Sequence, residues 1–297
     1  MSELEQPNAV EEPASPAPSG EPLTTRTARG IRDFVDQIAS SSPARLAVIV
    51  FVIVDLGFAA LLWLPLSANP GQETRFVDAV FTATSAVTVT GLTTVSTAAQ
   101  WSVFGQVVIL IAIQVGGLGT LTLTSILALA IGRKLGLKSK LITQEALNIG
   151  RLGEVGSLLQ IIVITSVSIE AALALVLSVG FLAEGEPLGT ALWHGVFYAI
   201  SSFNNAGFTP HTDGLVPYDH AGPTAWLILL PVCIGVIVGS LGFPVILVLR
   251  QVGFRFTRWN LNAKLTVVTT AALLLLAWVL FTAIEWANPD TLGGQSV

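Results

Sequence analysis

The chain has 297 residues, 52% of them hydrophobic and 11% charged, with a formal charge of −5. Soluble domains carry about a quarter charged residues. A chain this poor in charge, with a mean hydropathy of +0.74, cannot cover a water-facing surface of normal size, and it reads as an integral membrane protein. The acidic balance argues against a nucleic-acid partner, which would meet a basic face. The single cysteine, Cys233, excludes a disulfide framework and any cysteine-rich metal site.

Residues 1–42 are rich in Glu, Pro, Ser and Ala up to about Gly30. That part cannot bury enough apolar surface to offset its ordering entropy, so it is expected to be a disordered cytoplasmic tail. A short interfacial helix is expected over 31–42, with Phe34, Val35 and Ile38 on one side. Five apolar runs then reach the roughly 20 residues needed to cross a bilayer. They lie near 44–66, 102–132, 157–183, 224–249 and 264–286.

Two less apolar stretches, 76–95 and 190–210, are rich in Thr, Ser, Asn and Gly. They are too polar for lipid-facing spans and too apolar for ordinary loops. Irregular backbone is tolerated at membrane depth only when buried in protein or lining an aqueous cavity, which suits re-entrant pore segments. With both re-entrant from outside, every Lys and Arg except Arg75 falls on one side. These are Arg26, Arg29, Arg32 and Arg45, the run from Arg133 to Arg151, and Arg250, Arg255, Arg258 and Lys264. The positive-inside rule then places the N-terminus in the cytoplasm of a multi-pass plasma-membrane protein. The connector 139–156 reads as an amphipathic helix at the inner surface.

The two polar stretches align without a gap. FTATSAVTVTGLTT from Phe81 matches FYAISSFNNAGFTP from Phe197, with Phe81/Phe197, Ala83/Ala199, Ser85/Ser201, Gly91/Gly207 and Thr93/Thr209 identical. Downstream, QVGGLG ending at Gly119 is echoed by IVGSLG ending at Gly242. The expected fold is therefore an all-α membrane protein of tandem span–pore loop–span repeats. The first repeat covers 43–138 and the second 157–250, and 251–297 hold a cytoplasmic loop and the first span of a third. Repeated polar residues at the interface between copies are the candidate functional ones.

Thr88, Val89, Thr90 and Gly91 in the first loop, and Asn204, Asn205, Ala206 and Gly207 in the second, each follow a short pore-helix candidate. Successive inward carbonyls can replace the water shell of a dehydrated monovalent cation. Pointing them inward demands backbone angles that a glycine relieves, and the negative end of the preceding helix favours a cation.

These residues resemble the ion-translocating subunit of the Trk/Ktr/HKT superfamily of potassium transporters. The resemblance is carried by SAVTVTGLT, QVGGLGTLTL, ISSFNNAGF, GSLGFPVILVL and the final EWANPDTL, and extends from about Arg45 onward. It implies a potassium-selective filter in which Gly91 and Gly207 are the glycines of repeats one and two, and the six residues before them supply carbonyls. It further implies potassium as the transported substrate, no covalently bound cofactor and no enzymatic step. A homodimer in the lipid bilayer, associated with a cytosolic nucleotide-binding regulatory subunit, is the implied assembly, and sodium dependence is a family trait these residues leave open. Family members have four repeats, so the sequence is expected to be a fragment or to be completed by a second polypeptide. Two alternatives stay open: a sodium-preferring transporter of the same fold, against which Gly91 speaks, and a truncated, non-conducting membrane protein.

Other polar residues have blander readings. Asp55 and Glu170, within spans, are expected to pack against a neighbouring repeat as hydrogen-bonded or protonated carboxyls rather than to attract cations. Glu73, Asp78, Glu184, Glu186, Asp213 and Asp219 fall on the predicted outer side, individually as solvated loop charges. His194, His211 and His220 lack the spacing of a zinc site and are assigned to packing. The GGLG and GSLG stretches are read as close helix packing by small residues.

Overall fold

The computed structural model describes residues 43–134, 155–218 and 222–288. The tail expected over 1–42 and most of the 139–156 connector lie outside these residues, as do Asp219 and His220. Among the described residues, eight α-helices of ten residues or more carry the architecture: α1 Pro43–Trp63, α2 Phe76–Val87, α3 Val103–Lys134, α4 Val155–Ala183, α5 Leu188–Phe203, α6 Pro223–Leu241, α7 Phe243–Val252 and α8 Leu261–Glu285. Among the described residues there is no β-strand, only an isolated bridge between Ala68 and Trp101. The regular structure of the described residues is thus all helical. Residues Ala47–Val297 form one compact unit.

Among the described residues, three segments are long and apolar enough to cross a membrane: Gln160–Ala183, Thr224–Leu241 and Leu261–Glu285. Helices α1 and α3 occupy the positions of the first two expected spans and add the apolar stretches Val48–Trp63 and Val103–Gly119. Beyond its first turns, helix α8 leaves its apolar side chains open, with Leu275 65%, Trp278 69% and Ile284 74% exposed. At about 25 cal/mol per Å² of apolar surface, such a helix is unfavourable in water and natural in lipid.

The local starts and stops follow from side-chain chemistry. Ser102 caps α3 by accepting the Gly105 N–H at 3.2 Å, and Asn260 caps α8 by accepting the Ala263 N–H at 2.8 Å. One expectation is corrected: 224–249 is not a continuous span. The chain breaks at Gly242, whose φ of 76° and ψ of 161° belong to a region essentially reserved for glycine. Pro244, which has no N–H to donate, sits in the first turn of the restarted helix α7, where that loss costs nothing.

The core gathers around the two short helices. Leu62, Ala83, Val87, Trp101, Ile109 and Ile113 surround α2, joined by Phe197, Ala206 and Phe208 from the second half. A second cluster, around α5, contains Leu177, Phe181, Tyr198, Ala199, Phe203 and Ile228. A hydrogen bond from Trp193 Nε1 on α5 to Gln106 Oε1 on α3, at 2.9 Å, crosses between the halves.

Glycines set how closely the long helices approach. A Cβ on Gly116 would collide with the Val87 carbonyl oxygen at the end of α2. A Cβ on Gly239 would collide with the Phe203 carbonyl oxygen at the end of α5. The expected small-residue packing of GGLG and GSLG thus has a definite object, the last carbonyl of each short helix. Because backbone cannot yield as a flexible side chain does, Gly116→Val and Gly239→Val are each expected to destabilise the fold by about 1–3 kcal/mol or more. Gly57→Ala, where a Cβ meets nothing within 4 Å, is expected to be neutral or slightly stabilising. Thermal unfolding of the detergent-purified variants checks both outcomes.

Candidate functional site

Helices α2 and α5 end in the same way. After α2, the Thr88 N–H donates to Thr84 O at 2.9 Å, Val89 N–H to Ala86 O at 3.1 Å and Thr90 N–H to Ser85 O at 2.8 Å. After α5, Asn204 N–H donates to Ile200 O at 3.1 Å, Asn205 N–H to Ser202 O at 3.0 Å and Ala206 N–H to Ser201 O at 2.8 Å. The paired 6→1 and 5→2 bonds are those of a Schellman motif. Its turning residue must be left-handed, and it is Val89 (φ 54°) in one loop and Asn205 (φ 58°) in the other. Asparagine tolerates this conformation, whereas a β-branched valine is strained in it. Two residues later the backbone is again at positive φ, at Gly91 (81°) and Gly207 (74°).

This geometry withdraws the carbonyls of both loops from the helix ladder. Among the described residues, no hydrogen bond is accepted by the backbone oxygens of Thr88, Val89, Thr90 and Gly91, or by those of Asn204, Asn205, Ala206 and Gly207. The loops also touch. A Cβ on Gly91 would strike the Ala206 carbonyl oxygen and lie 3.4 Å from the Gly207 Cα, and one on Gly207 would lie 3.7 Å from the Gly91 Cα. Sequence comparison aligned these eight residues; the structure brings them into one patch, with Thr88, Thr90, Asn205 and Gly207 exposed.

Polar side chains brace the patch from behind. Asn204 Nδ2 donates to Ile200 O (2.9 Å), Glu170 Oε1 (3.1 Å) and Gln114 Oε1 (3.2 Å). Three acceptors for two hydrogens imply a shared bond. Glu170 is 7% exposed, so its carboxyl depends on this donor. In the first half, Asp55 Oδ2 accepts from Thr84 Oγ1 at 2.9 Å. Both carboxyls thus contact the short helix or loop ahead of them. Ser240 Oγ donates to Asn205 Oδ1 at 2.9 Å, and Ser201 Oγ to Phe208 O at 2.7 Å.

Two acidic residues expected as solvated charges are not. Asp78 is 4% exposed. It receives Arg75 Nε at 2.7 Å and Nη2 at 3.0 Å, and Thr94 Oγ1 at 3.0 Å, which ties the segment after Gly91 to the start of α2. Glu186 is the other. His194 Nδ1 lies 2.8 Å from its Oε2, and Tyr218 Oη donates to its Oε1 at 3.1 Å. His211 Nε2 is 3.4 Å from the same Oε1. His194 and His211, assigned to packing, therefore meet a carboxylate, a convergence that their wide sequence spacing did not signal. Burial, followed by the neighbouring His194, pushes the His211 pKa below its ordinary value. Burial raises that of Tyr218, so its hydroxyl stays protonated.

With this geometry established, relatives fix the family. The TrkH cation transport protein family profile matches residues 34–286. The chain belongs to that family. It is 38% identical over 251 residues to the Ktr system potassium uptake protein B of Bacillus subtilis, a match covering 84% of this chain and 54% of that protein. Over 247 residues it is 36% identical to the potassium/sodium uptake protein NtpJ of Enterococcus hirae, covering 82% and 53%. The Ktr system potassium uptake protein B of Vibrio alginolyticus is 34% identical over 260 residues, covering 86% and 55%. The chain spans about half the length of these relatives. As a TrkH family member with long apolar helices, it is an integral membrane protein.

The Asn204 network makes a stability prediction. Asn204→Leu leaves the buried Glu170 oxygen and the half-buried Gln114 oxygen without this donor, and is expected to cost about 1–3 kcal/mol. Thermal unfolding in detergent, compared with Asn204→Leu in a Glu170→Gln background, checks it; the second carboxamide should recover part of the loss.

Proposed function

We propose that the chain carries half of a potassium-uptake pore, in which the Gly91 and Gly207 loops are two arms of a carbonyl selectivity filter. In this reading α1–α2–α3 and α4–α5–α6/α7 are successive span–loop–span repeats entered from outside. Helix α8 begins a third, and the N-terminus is cytoplasmic. One observation carries the proposal: two glycine loops of matching backbone geometry meet at their glycines, with eight carbonyls that no donor among the described residues engages. Carbonyls left free in a bilayer are costly unless water or a cation serves them, and a ring of them can replace the hydration shell of potassium. The C-terminal ends of α2 and α5 point their negative dipole ends at the same patch.

No covalent chemistry is required: selectivity is the exchange of water for carbonyl oxygen, and the electrochemical gradient drives uptake. Two loops supply part of a coordination shell, so the working pore needs further loops, from the same polypeptide or another. The resemblance to Trk/Ktr systems extends the proposal to a plasma-membrane homodimer of pore subunits regulated by a cytosolic nucleotide-binding partner. A second reading, sodium transport, is favoured by the likeness to the potassium/sodium uptake protein NtpJ of Enterococcus hirae.

Complementation of a potassium-uptake-deficient bacterium tests the proposal. Growth at low potassium is expected from a form containing all four filter loops and not from residues 1–297 alone; rescue by residues 1–297 would refute the need for further loops. In the rescuing form, Gly91→Ser should lower the potassium-to-sodium selectivity measured by ion competition. Unchanged selectivity would count against the filter assignment, and potassium-blind sodium uptake would favour the second reading.

A further inference from the structure

Glu186, His194 and His211 come from three different segments: the turn after α4, the middle of α5 and the loop after Gly207. Their candidate ligand atoms all lie within 4.8 Å of one another. Zinc bonds of about 2.0–2.2 Å in tetrahedral geometry place neighbouring ligand atoms roughly 3.3–3.5 Å apart. The observed separations are 2.8 Å from Glu186 Oε2 to His194 Nδ1, shorter than that spacing, and 3.4 Å from Glu186 Oε1 to His211 Nε2, which matches it.

The surroundings are those of a held ligand set rather than of loop side chains in passing contact. The Phe181 ring, fully buried, packs against His194, Tyr198, His211 and Tyr218, with centroids 5.7, 5.5, 5.8 and 5.5 Å away. On its far side, His211 Nδ1 lies 2.9 Å from Tyr198 Oη, and that hydroxyl also contacts Thr209 Oγ1 at 2.7 Å and Gly214 O at 3.3 Å. A metal-bound histidine characteristically donates its other ring N–H to such an oxygen, which fixes the tautomer.

The Tyr218 hydroxyl stands 3.0 Å from His211 Nε2 and 3.1 Å from Glu186 Oε1, so a fourth polar side chain faces the same three residues. The three side chains remain 13% (His194), 17% (Glu186) and 19% (His211) exposed, which leaves an entry path.

We propose that Glu186, His194 and His211 form a zinc-binding site that fastens the segment after the second glycine loop to α4 and α5. Two imidazoles and one carboxylate suit Zn²⁺ and its late first-row neighbours over Mg²⁺ or Ca²⁺. Water completes the coordination, and Tyr218 donates to the bound carboxylate. Thr209, two residues beyond Gly207, is tied to His211 through Tyr198, so occupancy of the site stiffens the backbone next to the glycine loop. The site stands apart from the glycine-loop carbonyls and does not depend on the transport proposal.

Direct binding to the full chain, purified in detergent without a histidine tag, is the test. Titrated Co²⁺ is expected to give the intense visible bands of a tetrahedral site at one equivalent per chain. Zn²⁺ should bleach these bands and raise the unfolding temperature. His194→Ala and His211→Ala should abolish both effects, Tyr198→Phe should weaken binding about 10–100-fold, and Cys233→Ser should leave it intact. Should an alanine variant fail to fold, Glu186→Gln, which preserves shape and removes the ligand charge, decides the matter by losing the Co²⁺ bands with unchanged helicity and elution. Absence of a tetrahedral Co²⁺ signal in the wild-type chain, or a signal that survives in the folded ligand variants, overturns the site. Neither result depends on whether the protein moves potassium.

Discussion

Everything in this structure turns on where the carbonyls at the ends of α2 and α5 are sent. A helix end buried in protein and lipid must dispose of its terminal carbonyls, because no bulk water is there to accept them. Here the Schellman bonds satisfy the Ser85 and Ala86 oxygens in one half, and those of Ser201 and Ser202 in the other. The next carbonyls turn away from the ladder. Gly116 and Gly239 then let the following long helices rest against Val87 O and Phe203 O. The two features need each other: the turn creates the carbonyl row, and the glycine contact holds the helix end that carries it.

The two halves reach the same backbone with different side chains. In the first, a strained valine occupies the left-handed position, and behind it stands a short hydroxyl–carboxyl contact between Thr84 and Asp55. In the second, asparagine occupies that position without penalty, and Asn204 joins Glu170 on α4 to Gln114 on α3. The second loop is therefore wired to both halves. With the Trp193–Gln106 bond and the burial of Phe197 and Ala206 in the first core, it holds the two glycines in contact. A strained Val89 persists because its neighbours over-determine it; strain of this kind concentrates where geometry has a task.

Much of the helical plan was legible because apolar run length is a strong signal: four of the five runs became single helices, and the fifth became α6 and α7. The break at Gly242 was less visible. Hydropathy averages over Gly-Phe-Pro, whereas the backbone responds to the one residue able to adopt its φ and to the proline that follows. Asp78 and Glu186 were misjudged for a related reason: a charged residue between apolar segments looks like a loop charge until its partner is known. Arg75 was near enough in sequence to have suggested the first pairing. His211 and Tyr218, which surround Glu186, were not.

The residues themselves determined membrane character, the helical class and the pairing of Gly91 with Gly207, since these rest on composition and on identities at a constant offset. Only the tertiary structure decided that the two glycines touch, that Glu170 is served by Asn204, and that Glu186, His194 and His211 converge in one cluster. Those facts depend on which faces of α3, α4 and α5 meet. That choice is made by the fit of many side chains at once, and no local stretch of sequence contains it.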